Sequence, residues 1–314
     1  MSEVKFGWRI PSFPVNGSKG KKFIRQILRS LEENEGKYDS AWISDHFIPW
    51  ANFVPSSTDT LECWTTISYL SGKFQRFDFG AIVLCNSYRN PALLAKMGAT
   101  LQTLSNGRFI LGIGAGWKED EYLAYGYEFP DTRTRIKQLE EAVQIIKMMW
   151  TEEVTTFRGK FYKVEGAYCE PRPDPPPPIM IGGGGEKLTL KVVALFADWW
   201  NLPNKTPEIY QHKLNVLKDH CTKVGRDFDE IKKTWVGCAA ISKNKNDAIR
   251  IAEKSPFSRT IGLEEMIVGS PEQAVRKLKR YVDIGVEHVI LRFLDFPRTE
   301  GAQLFAQEVI PKFK

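Results

Sequence analysis

Asp45 and His46 stand side by side where an apolar run ends, in "AWISDHFIPW" (Ala41 to Trp50). An imidazole titrates near neutrality, so it can give or take a proton, and an adjacent carboxylate can orient it or stabilise its charged form. The alternative is structural: Asp45 caps the loop and His46 is a satisfied polar residue. Four glycines, Gly182 to Gly185, follow a second apolar run and precede "EKLTLKVVALF". Backbone N–H groups without side chains can approach an anion closely, and a helix start behind them adds positive potential. A phosphate suits that pattern; a tight turn needing positive φ is the other reading, though it requires fewer glycines. "KEDEY" offers Asp120 and Glu121, either as hydrogen-bond acceptors for a ligand ring or as acids in the first turn of a helix. Phe47 and Trp50 could wall a pocket for a flat ring or simply fold inward; Trp199 and Trp200 carry the same ambiguity, with core packing expected for at least one.

These residues need a frame, and strand-like runs alternate with helix-like stretches along the whole chain. "KFGWRI", "SAWISD", "DFGAIVL", "RFILGIG", "IMIGG", "ADWWNL", "KTWVGCAAI" and "HVILRF" read as strands, each followed by a helical pattern. Short apolar strands between helices imply a parallel sheet with its outer face covered. Eight such units predict an α/β fold, a (β/α)₈ TIM barrel with insertions, whose usual size is about 250 residues. The competing open sheet usually carries GxGxxG after its first strand, and none follows Ile10; in "GIGAGW" Trp117 occupies the place of the last glycine. A hairpin around Gly159 and the run "PDPPPP" make residues 151–178 an insertion in one domain spanning 1–314.

A barrel of this kind places its chemistry at the C-terminal ends of its strands. That rule selects "RIPSF", Asp45 with His46, "LCNSYR", "GAGWKEDE", the glycine run, "NLPNK" and the vicinity of Arg292; His46 is the only histidine among them.

Composition narrows the partners. A net charge of +6 mildly favours anionic ligands, but most Lys and Arg alternate with Glu on helical faces, so neither nucleic acid nor a membrane is an expected partner. Five scattered cysteines without a CxxC pair predict neither a disulfide framework nor zinc. His212 and His220 fall on one helix face, with no third ligand to make a metal site. With no signal-like or membrane-length apolar run, the cytoplasm is the expected location.

"SDHFIPW", "YRNPALLAKMGATLQTLSNGRFILGIGAGW", "RIKQLEEAVQIIKMMW", "PPPPIMIGGGG", "ADWWN" and "VGSPEQAVRKLKRYVDIGVEHVI" together resemble the bacterial-luciferase-like oxidoreductases, most of all the branch that uses the 5-deazaflavin coenzyme F420. The resemblance implies a TIM barrel with insertions and hydride transfer between F420 and a small organic substrate. It places Asp45 against the ring and makes His46 the acid/base. Trp50, Trp117 and Glu121 would line the substrate pocket. A bulge in the third strand, with a non-proline cis peptide at Ile82–Val83, would back the ring. Gly182, Gly183, Gly184 and Gly185 would hold the cofactor phosphate, Lys205 would add charge, and Asn86 and Asp120 match positions that bind the ring or its tail. Oligomers are common in the family, and the helices after strands 2 and 3 could form the face of a homodimer. One departure stands out: sugar-phosphate dehydrogenases of the F420 branch carry a glutamate where this chain has Trp117. Two other readings stay open: a two-component monooxygenase using FMN and a separate reductase, and a non-catalytic flavin-binding barrel.

Overall fold

In the computed structural model, which describes residues 3–314, all eight expected runs are strands of one parallel sheet. In chain order they are β1 (Lys5–Arg9), β2 (Ser40–Ile43), the divided third strand β3 (Asp78–Ala81) and β4 (Leu84–Cys85), β5 (Phe109–Gly114), then β6 (Thr155–Arg158) and β7 (Lys163–Ala167) as a separate hairpin. The barrel resumes with β8 (Ile179–Gly182), β9 (Trp199–Pro203) and β10 (Lys232–Ile241); β11 (Ile267–Gly269) and β12 (His288–Phe293) follow. Pairing of β12 with both β1 and β10, and of β9 with β10, closes the ring. β11 is an addition to the expected set: a three-residue strand alongside Ala239 to Ile241, too short to show a period of its own.

The strands read as continuous apolar runs because both of their faces are buried. Successive side chains alternate: Trp42, Ile110, Met180, Val236 and Ile290 form the cluster inside the barrel, while their neighbours Ala41, Ile43, Leu111, Ile181 and Leu291 join the larger core under the helices. Trp42 lies across the floor, where its ring occupies the space that side chains at Gly7 and Gly80 would need. Beside it, Ser40 Oγ accepts a 2.7 Å hydrogen bond from Trp42 Nε1 and lies 2.8 Å from Nε2 of the buried His288.

Among the described residues, ten α-helices cover the outside: α1 (Gly20–Asn34), α2 (Cys63–Lys73), α3 (Pro91–Leu104), α4 (Glu119–Ala124), α5 (Thr132–Thr151), α6 (Thr189–Phe196), α7 (Pro207–Val224), α8 (Lys245–Lys254), α9 (Pro271–Val282) and α10 (Glu300–Glu308). Their starts follow local chemistry. Asn90 accepts from the N–H groups of Ala92 and Leu93 ahead of Pro91, and Ser270 forms a capping box with Gln273. β6 and β7 pair as an antiparallel hairpin around Gly159, and the Glu141 carboxylate of α5 anchors its tip by accepting from the N–H groups of Lys160, Phe161 and Tyr162. Among the described residues no helix is long and apolar enough to cross a membrane, and no group of three or more His, Cys, Asp or Glu could hold a metal.

Candidate active site

A cavity of about 480 Å³ opens at the C-terminal ends of the strands. That is within the roughly 300–1,000 Å³ usual for ligand sites. His46 and Trp50 line one side, Ile82 to Cys85 another, and Gly182, Gly183 and Thr189 a third. The aspartate–histidine pair and the glycine corner therefore share one chamber. The strand-3 segment between them is broken, and its Ile82–Val83 peptide is cis.

His46 is held by a carboxylate, but not by its neighbour. Its Nδ1 lies 2.8 Å from Glu121 Oε2, while Asp45 makes no bond to the ring. Glu121, in α4, is fully buried and fully subscribed. Its Oε1 accepts from the N–H groups of Phe47 (2.6 Å) and Ile48 (3.0 Å), and its Oε2 also accepts from the Tyr88 hydroxyl (2.8 Å). Burial alone would raise this carboxyl, yet the hydrogen bonds from His46, Ile48 and Tyr88 bring it below the usual glutamate range. An ionised carboxylate only accepts, so Nδ1 carries the hydrogen and Nε2 is left to exchange protons with the cavity. Trp117 meets the ring edge-on, with centroids 5.7 Å apart.

Two expectations are corrected here. Asp45 does not orient His46: its oxygens accept from Arg89 Nη1 and Nη2 at 2.8 and 3.0 Å, and Oδ2 also accepts from the Cys85 N–H at 2.8 Å. Asp45 thus ties the end of β2 to the far side of the strand break, and Glu62 gives Arg89 a second carboxylate at 2.6 Å. Glu121 does not offer acceptor oxygens to a ligand, because the network above uses them. Next to these, burial pushes the Cys85 thiol up to about 12, so it is neutral and unreactive at physiological pH.

At the glycine corner, Gly183 has φ +125° and its N–H donates to Asn201 O. Among the described residues, no bond within the chain engages the N–H groups of Gly184 or Gly185, or of Glu186 to Leu188 ahead of α6. They form a row of free donors beside the cavity. Glu186 is clamped from α7: Lys213 Nζ lies 2.6 Å and His212 Nε2 2.9 Å from its Oε1, and His220 Nε2 is 2.7 Å from its carbonyl oxygen.

Of the remaining candidates, Gly184, Gly185, Asn86, Asp120 and Lys205 do not line the cavity. Asn86 is buried, with its amide 3.2 Å from the Tyr162 hydroxyl of the hairpin. Asp120 is exposed and paired with Lys118 at 2.6 Å. Lys205 Nζ lies 3.6 Å from Glu265, so its charge is already matched. Sequence reasoning passed over Arg9, Tyr88, Arg89 and Lys213. Arg9, Tyr88 and Arg89 sit in strand-end segments that the barrel rule had selected, whereas Lys213, in mid-helix, gave no signal.

The family model described as luciferase-like monooxygenase matches residues 4–262. The chain belongs to that family. An F420-dependent glucose-6-phosphate dehydrogenase of Amycolatopsis mediterranei is 26% identical, over 91% of this chain and 93% of that protein. Among solved structures, an F420-dependent secondary alcohol dehydrogenase in complex with an F420–acetone adduct superposes with a TM-score of 0.83 at 19% identity, covering 99% of each chain. The oxygenating constituent of 3,6-diketocamphane monooxygenase of Pseudomonas putida, in complex with FMN, does so with a TM-score of 0.78 at 16% identity, again over 99% of each chain. At these identities the structural matches establish the luciferase-like barrel, which the F420 and FMN proteins share.

Proposed function

We propose that the protein is an oxidoreductase that moves a hydride between coenzyme F420 and a small organic substrate, with His46 handling the accompanying proton. One observation carries the reading: a single cavity joins His46, the broken third strand and the glycine corner. A flat tricycle with an anionic tail needs those surfaces, an apolar bed for the ring and free N–H donors for the tail. Ile82, Val83 and Asp45 would hold the ring. Gly182 to Gly185 would take the phosphate, with Asn86, Asp120 and Lys205 at the periphery. The curated relatives named for F420 chemistry support this choice over FMN. When bound, F420 supplies the carbon that gives or receives the hydride.

The chain's own residues do the rest. Glu121 fixes the His46 tautomer, so Nε2 is the atom that takes a proton from a substrate hydroxyl, or returns one to a carbonyl oxygen. Trp50 and Val236 add apolar wall that keeps water from the reacting groups. The reading extends to a homodimer through the helices after the second and third strands, where Tyr69 of α2 and Leu93 and Leu104 of α3 are exposed apolar side chains.

Titration of cofactor fluorescence tests the assignment. F420 should bind saturably and in preference to FMN, and His46→Ala should keep that binding while losing turnover. Preferential FMN binding, or full turnover by His46→Ala, would overturn it.

A further inference from the structure

Two arginines at the cavity, the half-buried Arg9 and the buried Arg292, have no counter-ion among the described residues. Beside the same cavity Arg89 is matched with the carboxylates of Asp45 and Glu62, while Arg135, buried outside this cluster, is held by the Pro130 carbonyl oxygen and the face of Phe129. Arg9, at the end of β1, and Arg292, in β12, form no ion pair among the described residues. Arg9 Nη2 donates to Ser44 Oγ at 2.7 Å, two positions before His46, and its Nε has no partner. Arg292 is 3% exposed, and its Nε and Nη2 have no partner. The two flank one ring: their guanidinium carbons lie 5.6 and 5.7 Å from the Trp50 centroid, and Phe257 covers Arg292 at 4.7 Å.

Aromatic faces soften a buried cation but do not neutralise it. The acidic group beside them is Cys238, whose thiol burial pushes up and so keeps neutral. Burial and the neighbouring Arg9 lower Arg292 to about 9, which marks two like charges held without an anion. Arg9 lines the same cavity as His46, and Arg292, outside the cavity wall, stands against the same Trp50 ring. Trp50 sits on the irregular segment after β2, which is free of helix and strand from residue 44 to 62.

We infer that the substrate of this cavity carries an anionic oxygen group, a carboxylate or a phosphate, bound by Arg9 beside His46 and backed by the charge of Arg292. The inference rests on the reading of this cavity as the substrate chamber and specifies what enters it. A guanidinium accepts either anion through paired N–H donors, so both share one recognition chemistry. A neutral substrate of the same shape would leave both guanidinium charges uncompensated, and the site should discriminate against it.

Isothermal titration of the full chain, with and without saturating F420, tests this using lactate, inorganic phosphate and the neutral propane-1,2-diol. Lactate or phosphate should bind, and Arg9→Gln should weaken that binding by about tenfold or more, as expected for loss of a charge-assisted hydrogen bond. Arg292→Gln should weaken it less and Arg292→Lys less again, while binding of the diol stays unchanged throughout. Tighter binding of phosphate than lactate assigns a phosphoryl group; the reverse assigns a carboxylate. If Arg292→Gln fails to fold, Arg9→Gln decides alone. Anion binding equal in Arg9→Gln and wild type, or no anion binding by folded wild type, overturns the inference. Arg9-dependent anion binding without F420 binding would instead overturn the cofactor assignment and leave this one standing.

Discussion

Glu121 Oε2 lies 2.8 Å from His46 Nδ1, although 75 positions separate the two residues. Glu121→Gln preserves volume but presents an amide that can donate where the carboxylate accepts. Nδ1 must then accept, and the hydrogen moves to Nε2. We expect kcat to fall by about 10²–10⁴, the usual contribution of general acid–base catalysis, with F420 affinity retained. Steady-state kinetics beside a fluorescence titration checks this. A loss confined to cofactor binding would remove the positioning role.

Asp45 should matter through stability. Breaking a buried ion pair costs about 3–5 kcal/mol, and Glu62 still reaches Arg89, so the lower end is expected for Asp45→Ala. Urea unfolding measures it. A variant with unchanged stability but absent turnover would return Asp45 to a direct chemical role.

His288 sets an acid limit. Burial lowers it from 6.5 to about 3, so between those values the unfolded chain binds a proton that the folded chain does not. The stability this group contributes is complete above about pH 6.5 and is lost as pH falls toward 3, at up to about 1.4 kcal/mol per pH unit. Glu121, held below the usual glutamate range, adds a loss in the same direction at lower pH. His288→Gln should flatten the slope of melting temperature against pH between 6.5 and 4. An unchanged slope would show that another group dominates.

Two glycines separate conformational cost from crowding. Gly116 has φ +75° and a side chain there would collide with Tyr122 and come within 2.6 Å of Cys85 Sγ; Gly126 has φ +77° and nothing within 4 Å. Gly126→Ala should cost about 1–2 kcal/mol for the left-handed conformation alone. Gly116→Ala should cost roughly 1–3 kcal/mol more, as overpacking does, and should disturb the wall around His46. Thermal melts of the pair test this, and equal losses would contradict the crowding at Gly116.

The barrel was legible because strands buried on both faces are written as short apolar runs, as in "SAWI" and "FILGIG". β11, at three residues, was not. The break at Ile82–Val83 came from family resemblance, since the run "DFGAIVL" shows no interruption in its own pattern. The Asp45 expectation failed for a geometric reason. Past the end of β2 the Arg89 guanidinium and the Cys85 N–H hold the carboxylate adjacent in sequence, which leaves the imidazole to Glu121.

The order of residues alone established a closed alternation of strands and helices, a histidine at a strand's C-terminal end and a bare glycine corner. Those features are local, and a period or a composition encodes them. Folding decided which carboxylate serves His46, which arginine is matched and which is left open. Hydrogen bonds act over about 3 Å. Only closure of the barrel brings α4 over β2, or Arg292 beside Arg9, and nothing in linear spacing specifies those meetings.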